Sequence, residues 1–146
     1  MVDVIVFFAV IQSSAILGAI FFGYLTDFKN PKFTLYITII IWIVVCILAF
    51  FSTGKTLFYI VGLLAGVATD TIQAAARTLM SRLIPMDHET EFFGFYALCG
   101  KFSSVLGPLT FGFISSATGN QRIAILSLIF FFVAGGLLLK KVKIND

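Results

Sequence analysis

Apolar residues run along this chain in five long blocks, at about residues 4–25, 33–51, 57–79, 92–115 and 123–139, separated by short polar breaks. A helix rises about 1.5 Å per residue and the hydrocarbon core of a bilayer is about 30 Å thick, so roughly 20 mostly apolar residues make a span. The pattern predicts five transmembrane helices in a single domain over residues 1–146, with only short connections. An all-α membrane protein is the expected fold class, because a chain inside lipid must satisfy its own backbone groups.

The breaks carry helix-ending chemistry. Thr26-Asp27-Phe28-Lys29-Asn30-Pro31-Lys32 contains a proline that stops one helix and suits the first turn of the next. Ser52-Thr53-Gly54-Lys55 and Thr118-Gly119-Asn120-Gln121 are tight polar turns. The gap from Ile84 to Glu91 is the longest, and its acids stand where they complement the positive N-terminus of the fourth helix.

Composition agrees with the pattern. The chain is 60% hydrophobic and 12% charged, against about 45–50% and 25% in a soluble domain. A water-soluble fold, a disordered tail and a disulfide-stapled module are excluded. Cys46 and Cys99 fall inside apolar blocks and act as small hydrophobes. The chain starts Met1-Val2-Asp3 and turns apolar at once, without the layout of a cleavable leader.

Net charge is +3, and the bases sit at the edges of the blocks, which points to membrane orientation and not to a nucleic-acid partner. Lys29, Lys32, Arg77, Arg82, Lys140, Lys141 and Lys143 share one side, Lys55 and Arg122 the other, and Lys101 lies inside a span. Seven bases against two predict a cytoplasmic C-terminus. With five spans the N-terminus then lies outside, which suggests that earlier spans precede this segment in a longer protein.

The spans differ in polarity. The second and fifth are nearly all Ile, Leu, Val and Phe and are expected to face lipid over most of their circumference. The first, third and fourth carry Gln12, Ser13 and Ser14; Thr69, Asp70, Thr71, Gln73 and Arg77; and Lys101, Ser103 and Ser104. Such groups turn to a bundle interior or a wet cavity, since a charge at mid-membrane costs at least about 2.5–3.5 kcal/mol on insertion scales. Asp70, Gln73 and Arg77 stand at i, i+3 and i+7 and so share one helical face. Lys101 lies near the bilayer midplane, and Asp70, the nearest acid by depth, is its expected partner.

Structural roles stand beside the functional ones. Arg77 can snorkel to the headgroups, Lys101 and Asp70 can form a purely structural pair, and Gln12 and the serines can pack helix on helix. Gly62-x-x-x-Gly66 permits close helix approach, and Gly107-Pro108 is expected to kink the fourth span. His88, in a loop, is the chain's one histidine, so a serine hydrolase lacks its base. No metal-ligand spacing and no phosphate loop occur, so we expect no catalytic residue, no metal, no cofactor and no enzyme activity.

These residues resemble the C-terminal half of a major facilitator superfamily transporter. Gly23-Tyr24-Leu25-Thr26-Asp27-Phe28-Lys29-Asn30-Pro31-Lys32-Phe33-Thr34-Leu35 is similar to the superfamily's loop signature Gly-x-Leu-x-Asp-Arg-x-Gly-Arg-Lys-x-x-Leu. Gly23, Leu25, Asp27, Lys32 and Leu35 match it, whereas Phe28, Asn30 and Pro31 depart from it. The stretches from Gln73 to Leu79, Arg82 to Pro85 and Glu91 to Pro108 look like the branch related to fungal vacuolar amino-acid effluxers, which has bacterial members.

The resemblance implies that the five spans are helices eight to twelve of twelve, most of one six-helix bundle. It implies transport of a small polar solute, with amino acids as the class, by alternating access and with a coupling proton or ion. Asp70, Gln73, Arg77, Lys101 and Gln12 are then candidate solute or coupling-ion residues, and Gly23, Asp27 and Lys32 a cytoplasmic latch. The expected partners are the lipid bilayer and a missing N-terminal bundle or partner chain, and the expected location is a bacterial cell membrane. A non-transporting scaffold, or an inactive fragment of a split transporter, is the competing reading.

Overall fold

A computed structural model of the protein describes residues 2–143. The local chemistry of the breaks sets the helices. The Asn30 side chain accepts from the Lys32 amide at 2.9 Å, and Pro31 sits at the first helical position, where its missing N–H costs nothing. Asn120 caps in the same way, accepting from the Arg122 amide. Gly119 has φ 65, the left-handed conformation that glycine adopts without a Cβ penalty, and it ends the helix before. Glu89 and Glu91 occupy the first turn of their helix, as expected from the dipole.

Five long helices result: α1 (Val2–Phe28), α2 (Pro31–Phe51), α3 (Lys55–Leu83), α4 (Glu89–Thr118) and α5 (Gln121–Lys141), with a short 3-10 turn at Met86–His88 before α4. All five are long and apolar enough to cross a membrane, and the described residues contain no strand. The helices reach further than the apolar blocks, so the breaks shrink to a few residues each. Pro108 lies inside α4 without ending it.

The packing order in space is α1, α3, α2, α5, α4, with α1 also touching α2. Parallel α1 and α3 meet through small residues. A Cβ built on Gly18 would lie 2.8 Å from the Val67 Cα, and one on Gly66 would lie 2.5 Å from the Ile11 carbonyl oxygen. Gly62 stands under the Phe7 ring, which stacks on Phe58 with centroids 4.6 Å apart. The glycine pair of α3 thus makes the close approach its spacing predicts.

α2 and α5 run antiparallel, with Trp42 stacked on Phe132 at 5.5 Å. Leu35, Ala75 and Leu79 form a buried cluster, with Leu139 packed against it, so α2, α3 and α5 lock together at one end.

One expectation is corrected. α2 is not chiefly a lipid-facing helix: it lies in the middle of the row and buries Thr34, Leu35, Thr38, Val45 and Cys46. Its outward face is one stripe, Phe33, Ile40, Val44, Ile47 and Phe51. Lipid tails and protein cores are equally apolar, so hydrophobic composition cannot tell the two surroundings apart. The two buried threonines carry the signal. Thr38 donates to the Thr34 carbonyl, and Thr26 Oγ1 lies 3.1 Å from Thr34 Oγ1 across the α1–α2 turn.

Candidate functional site

The candidate site is built on α3. Gly62, Gly66, Asp70, Gln73 and Arg77 recur at intervals of four, four, three and four, which keeps them on one face of the helix. The opposite face, Ala68, Thr71, Ala75 and Leu79, is buried. α1 covers the glycine half of the first stripe, where the absence of side chains lets its backbone come close. Beyond Gly66 that cover ends, and Asp70, Gln73 and Arg77 are all exposed.

The neighbouring hydroxyls are already satisfied. Thr69 and Thr71 each donate to the carbonyl four residues back at 2.7 Å. The charged and amide groups are not: among the described residues Asp70, Gln73 and Arg77 have no hydrogen-bonding or ionic side-chain partner. A stripe carrying an acid, an amide and a guanidinium, open and unneutralised in an apolar helix, can hold a zwitterionic or anionic solute or exchange a proton.

Lys101 of α4 and Gln12 of α1 are likewise exposed and without side-chain partners among the described residues. The expected Asp70–Lys101 pair does not form. α2 and α5 stand between α3 and α4 in the packing order, so matched depth does not bring the two side chains together. Depth along the bilayer is legible from residue counts, whereas the order of helices in the membrane plane is not.

The serines of α1 and α4 turn to their own backbones: Ser14 donates to the Ile11 carbonyl at 2.8 Å, Ser103 to Cys99 at 2.9 Å and Ser104 to Lys101 at 2.7 Å. Ser14 is buried at the α1–α3 crossing, a packing role. Between α4 and α5 a groove of about 330 Å³ is lined by Ser103, Leu106, Gly107, Leu128, Phe131 and Phe132, too apolar a wall for a polar solute. Among the described residues no group of three His, Cys, Asp or Glu side chains could hold a metal ion.

The three latch candidates separate. Gly23 has open space around it, and Asp27 is exposed and forms no ion pair among the described residues. Lys32 instead reaches α5, its Nζ donating to the carbonyls of Lys140, at 3.3 Å, and Val142. At the other end Arg122 Nη2 of α5 donates to the Ser52 carbonyl that closes α2, at 3.0 Å. Each base sits in the first turn of its own helix, where the dipole disfavours a cation, and neutralises the carbonyl end of its antiparallel neighbour. That misplacement is the sequence signal by which this reciprocal clasp could have been found.

The family profile described as vacuole effluxer Atg22 like matches residues 1–146. The uncharacterized MFS-type transporter YxiO of Bacillus subtilis is 38% identical over 117 residues, covering 80% of this chain and 27% of that protein. Autophagy-related protein 22 of Kluyveromyces lactis is 35% identical over 130 residues, covering 82% of this chain and 26% of its own. The chain thus spans about a quarter of the length of these relatives. No solved structure matches it. Five membrane-length helices, polar faces on α1, α3 and α4, and a family match over the whole chain agree: this is an integral, multi-pass membrane protein that belongs to the vacuole effluxer Atg22-like family, a transporter branch related to the major facilitator superfamily.

Proposed function

We propose that this chain supplies the solute-contacting helix of a secondary transporter that moves a small polar solute, of the amino-acid class, by alternating access. The observation that carries the reading is the stripe of α3, where Asp70, Gln73 and Arg77 continue a tightly packed glycine face into an open one. Asp70 offers a carboxylate to a solute ammonium group or a coupling proton, Gln73 orients the solute by hydrogen bonds, and Arg77 meets an anionic group at the cytoplasmic gate. Gln12, exposed on the adjoining α1, extends the polar lining, and Lys101, exposed on α4 with α2 and α5 between it and α3, is a separate polar group of the pathway.

The remaining helices of the pathway come from a first bundle, on the same chain or a partner, since relatives of this family are about three times as long. Substrate sites in such transporters lie between two helical repeats, near the midplane. The effluxer description of the family supports export from a compartment. The concentration of bases at the Lys29 and Lys141 end is the observation behind a cytoplasmic C-terminus, and a bacterial cell membrane is the location this reading assigns, with relatives in both a Bacillus and fungi.

The test is Asp70→Asn in a transporter of full family length carrying this segment, with uptake into inverted vesicles as the readout. The reading expects transport to fall by at least about tenfold with normal membrane insertion. Normal transport with impaired insertion or assembly would make the stripe a structural contact and favour the scaffold.

A further inference from the structure

Outside the candidate site, the strongest unexplained feature is the basic end of the α2–α5 pair. The Lys32 contact ties the first turn of α2, three residues after Lys29, to the end of α5 that carries Lys140 and Lys141 and leads to Lys143. Beneath them Leu35, Leu79 and Leu139 pack into one cluster, so these lysines stand on a fixed platform shared by three helices. Lys29, Lys140, Lys141 and Lys143 are exposed, and among the described residues none of them is ion-paired. The one acid of the turn, Asp27, is exposed and forms no ion pair with them among the described residues.

Aromatic rings accompany the charges. Tyr24 and Phe28 stack with centroids 4.2 Å apart and are 66% and 70% exposed, and Lys29 Nζ stands 5.0 Å from the centre of the exposed Phe33 ring. Exposed rings beside lysines at the end of a span are the chemistry of the membrane interface, where the ring body meets acyl chains and the ammonium meets phosphate.

We propose that Lys29, Lys140, Lys141 and Lys143, with Tyr24, Phe28 and Phe33 as the apolar floor, form a binding site for the headgroup of an anionic phospholipid in the adjoining leaflet. Lys32 acts as a positioning residue: its amine is spent on the α5 carbonyls, and its role is to hold the two halves of the site together. A zwitterionic headgroup brings its own cation against four ammonium groups and is disfavoured. A phosphatidylglycerol headgroup supplies an uncompensated phosphodiester, and its chains lie along the rings. The site is independent of the transported solute and of whether transport occurs at all.

The experiment reconstitutes the chain into nanodiscs of mixed phosphatidylcholine and phosphatidylglycerol, extracts it gently, and measures by mass spectrometry the phosphatidylglycerol retained. Wild type is expected to retain phosphatidylglycerol over phosphatidylcholine. A variant with Lys29→Gln, Lys140→Gln, Lys141→Gln and Lys143→Gln should bind it at least about tenfold more weakly, while the four Lys→Arg changes keep it. Inorganic phosphate added during extraction leaves a lipid site occupied; displacement by millimolar phosphate would instead identify a free-anion site and overturn the proposal. Equal retention of the two lipids by wild type, a reading that needs no variant to fold, would overturn it as well, as would a glutamine variant that retains phosphatidylglycerol unchanged.

Discussion

α3 and α4 are near equals in length, 29 and 30 residues, and each carries charge inside an apolar block, yet the chain treats them in opposite ways. α3 lies between α1 and α2, with Gly62, Gly66, Ala68, Thr71, Ala75 and Leu79 buried. Among the described residues α4 packs chiefly on α5 and buries none of its residues, and a Cβ added at Gly94, Gly100, Gly107 or Gly112 would meet no atom within 4 Å. In α3 glycine is a packing device, whereas in α4 it marks a surface that nothing in this segment covers. The same residue type therefore means different things depending on the neighbour, and only the spatial order of the helices reveals which.

The largest effect expected from this contrast comes from side chains added at glycines. Gly66→Leu drives a side chain into the Ile11 backbone and should destabilise the α1–α3 pair by about 1–3 kcal/mol or more. Gly107→Ala should cost nothing measurable, because its Cβ meets no atom within 4 Å. Thermal unfolding of both variants in one detergent decides the matter; similar midpoints for the two would mean that the α1–α3 crossing is loose.

A smaller effect is expected at the clasp between α2 and α5. Lys32→Met leaves the carbonyls of Lys140 and Val142 without their cation and should loosen the last turn of α5 by about 0.3–1 kcal/mol. Faster amide exchange confined to the end of α5 is the expected readout, with Arg122→Met acting at the far end of α2 instead. Loss of protection spread evenly over both helices would show that the bases are not local caps.

The smallest concerns the buried threonines. Thr34→Val removes the hydroxyl facing Thr26 and should cost about 0.6 kcal/mol, the ordinary worth of a side-chain hydrogen bond between membrane helices. Thr110→Val, on the exposed side of α4 and bonded to its own backbone, should lie within error of wild type in the same unfolding assay.

Much of this architecture was legible in the residues. Five apolar blocks give five helices, Asn30 and Pro31 start α2, and the spacing of Gly62 and Gly66 predicts a close crossing because periodicity along one helix is a local property. The shared face of Asp70, Gln73 and Arg77 is legible for the same reason. Lateral order was not: the central place of α2 and the separation of Asp70 from Lys101 depend on which helices touch, and apolar composition is silent about that. The resemblance makes Lys32 part of a cytoplasmic latch with Gly23 and Asp27, whereas its acceptors in this structure lie over a hundred residues away at the end of α5, beyond the reach of any local motif.

The central claim is that the open half of the α3 stripe faces a watery solute path, in contrast to the outward stripe of α2, which faces lipid. Single cysteines at Asp70, Gln73 and Arg77, and at Ile40, Val44 and Ile47, can be placed in the transporter of full family length and treated with a membrane-impermeant thiol reagent after removal of Cys46 and Cys99. The account predicts rapid labelling at the three α3 positions, slowed by transported solute, and no labelling at the three α2 positions. Equal protection of both sets, in variants that insert normally in the membrane, would contradict it.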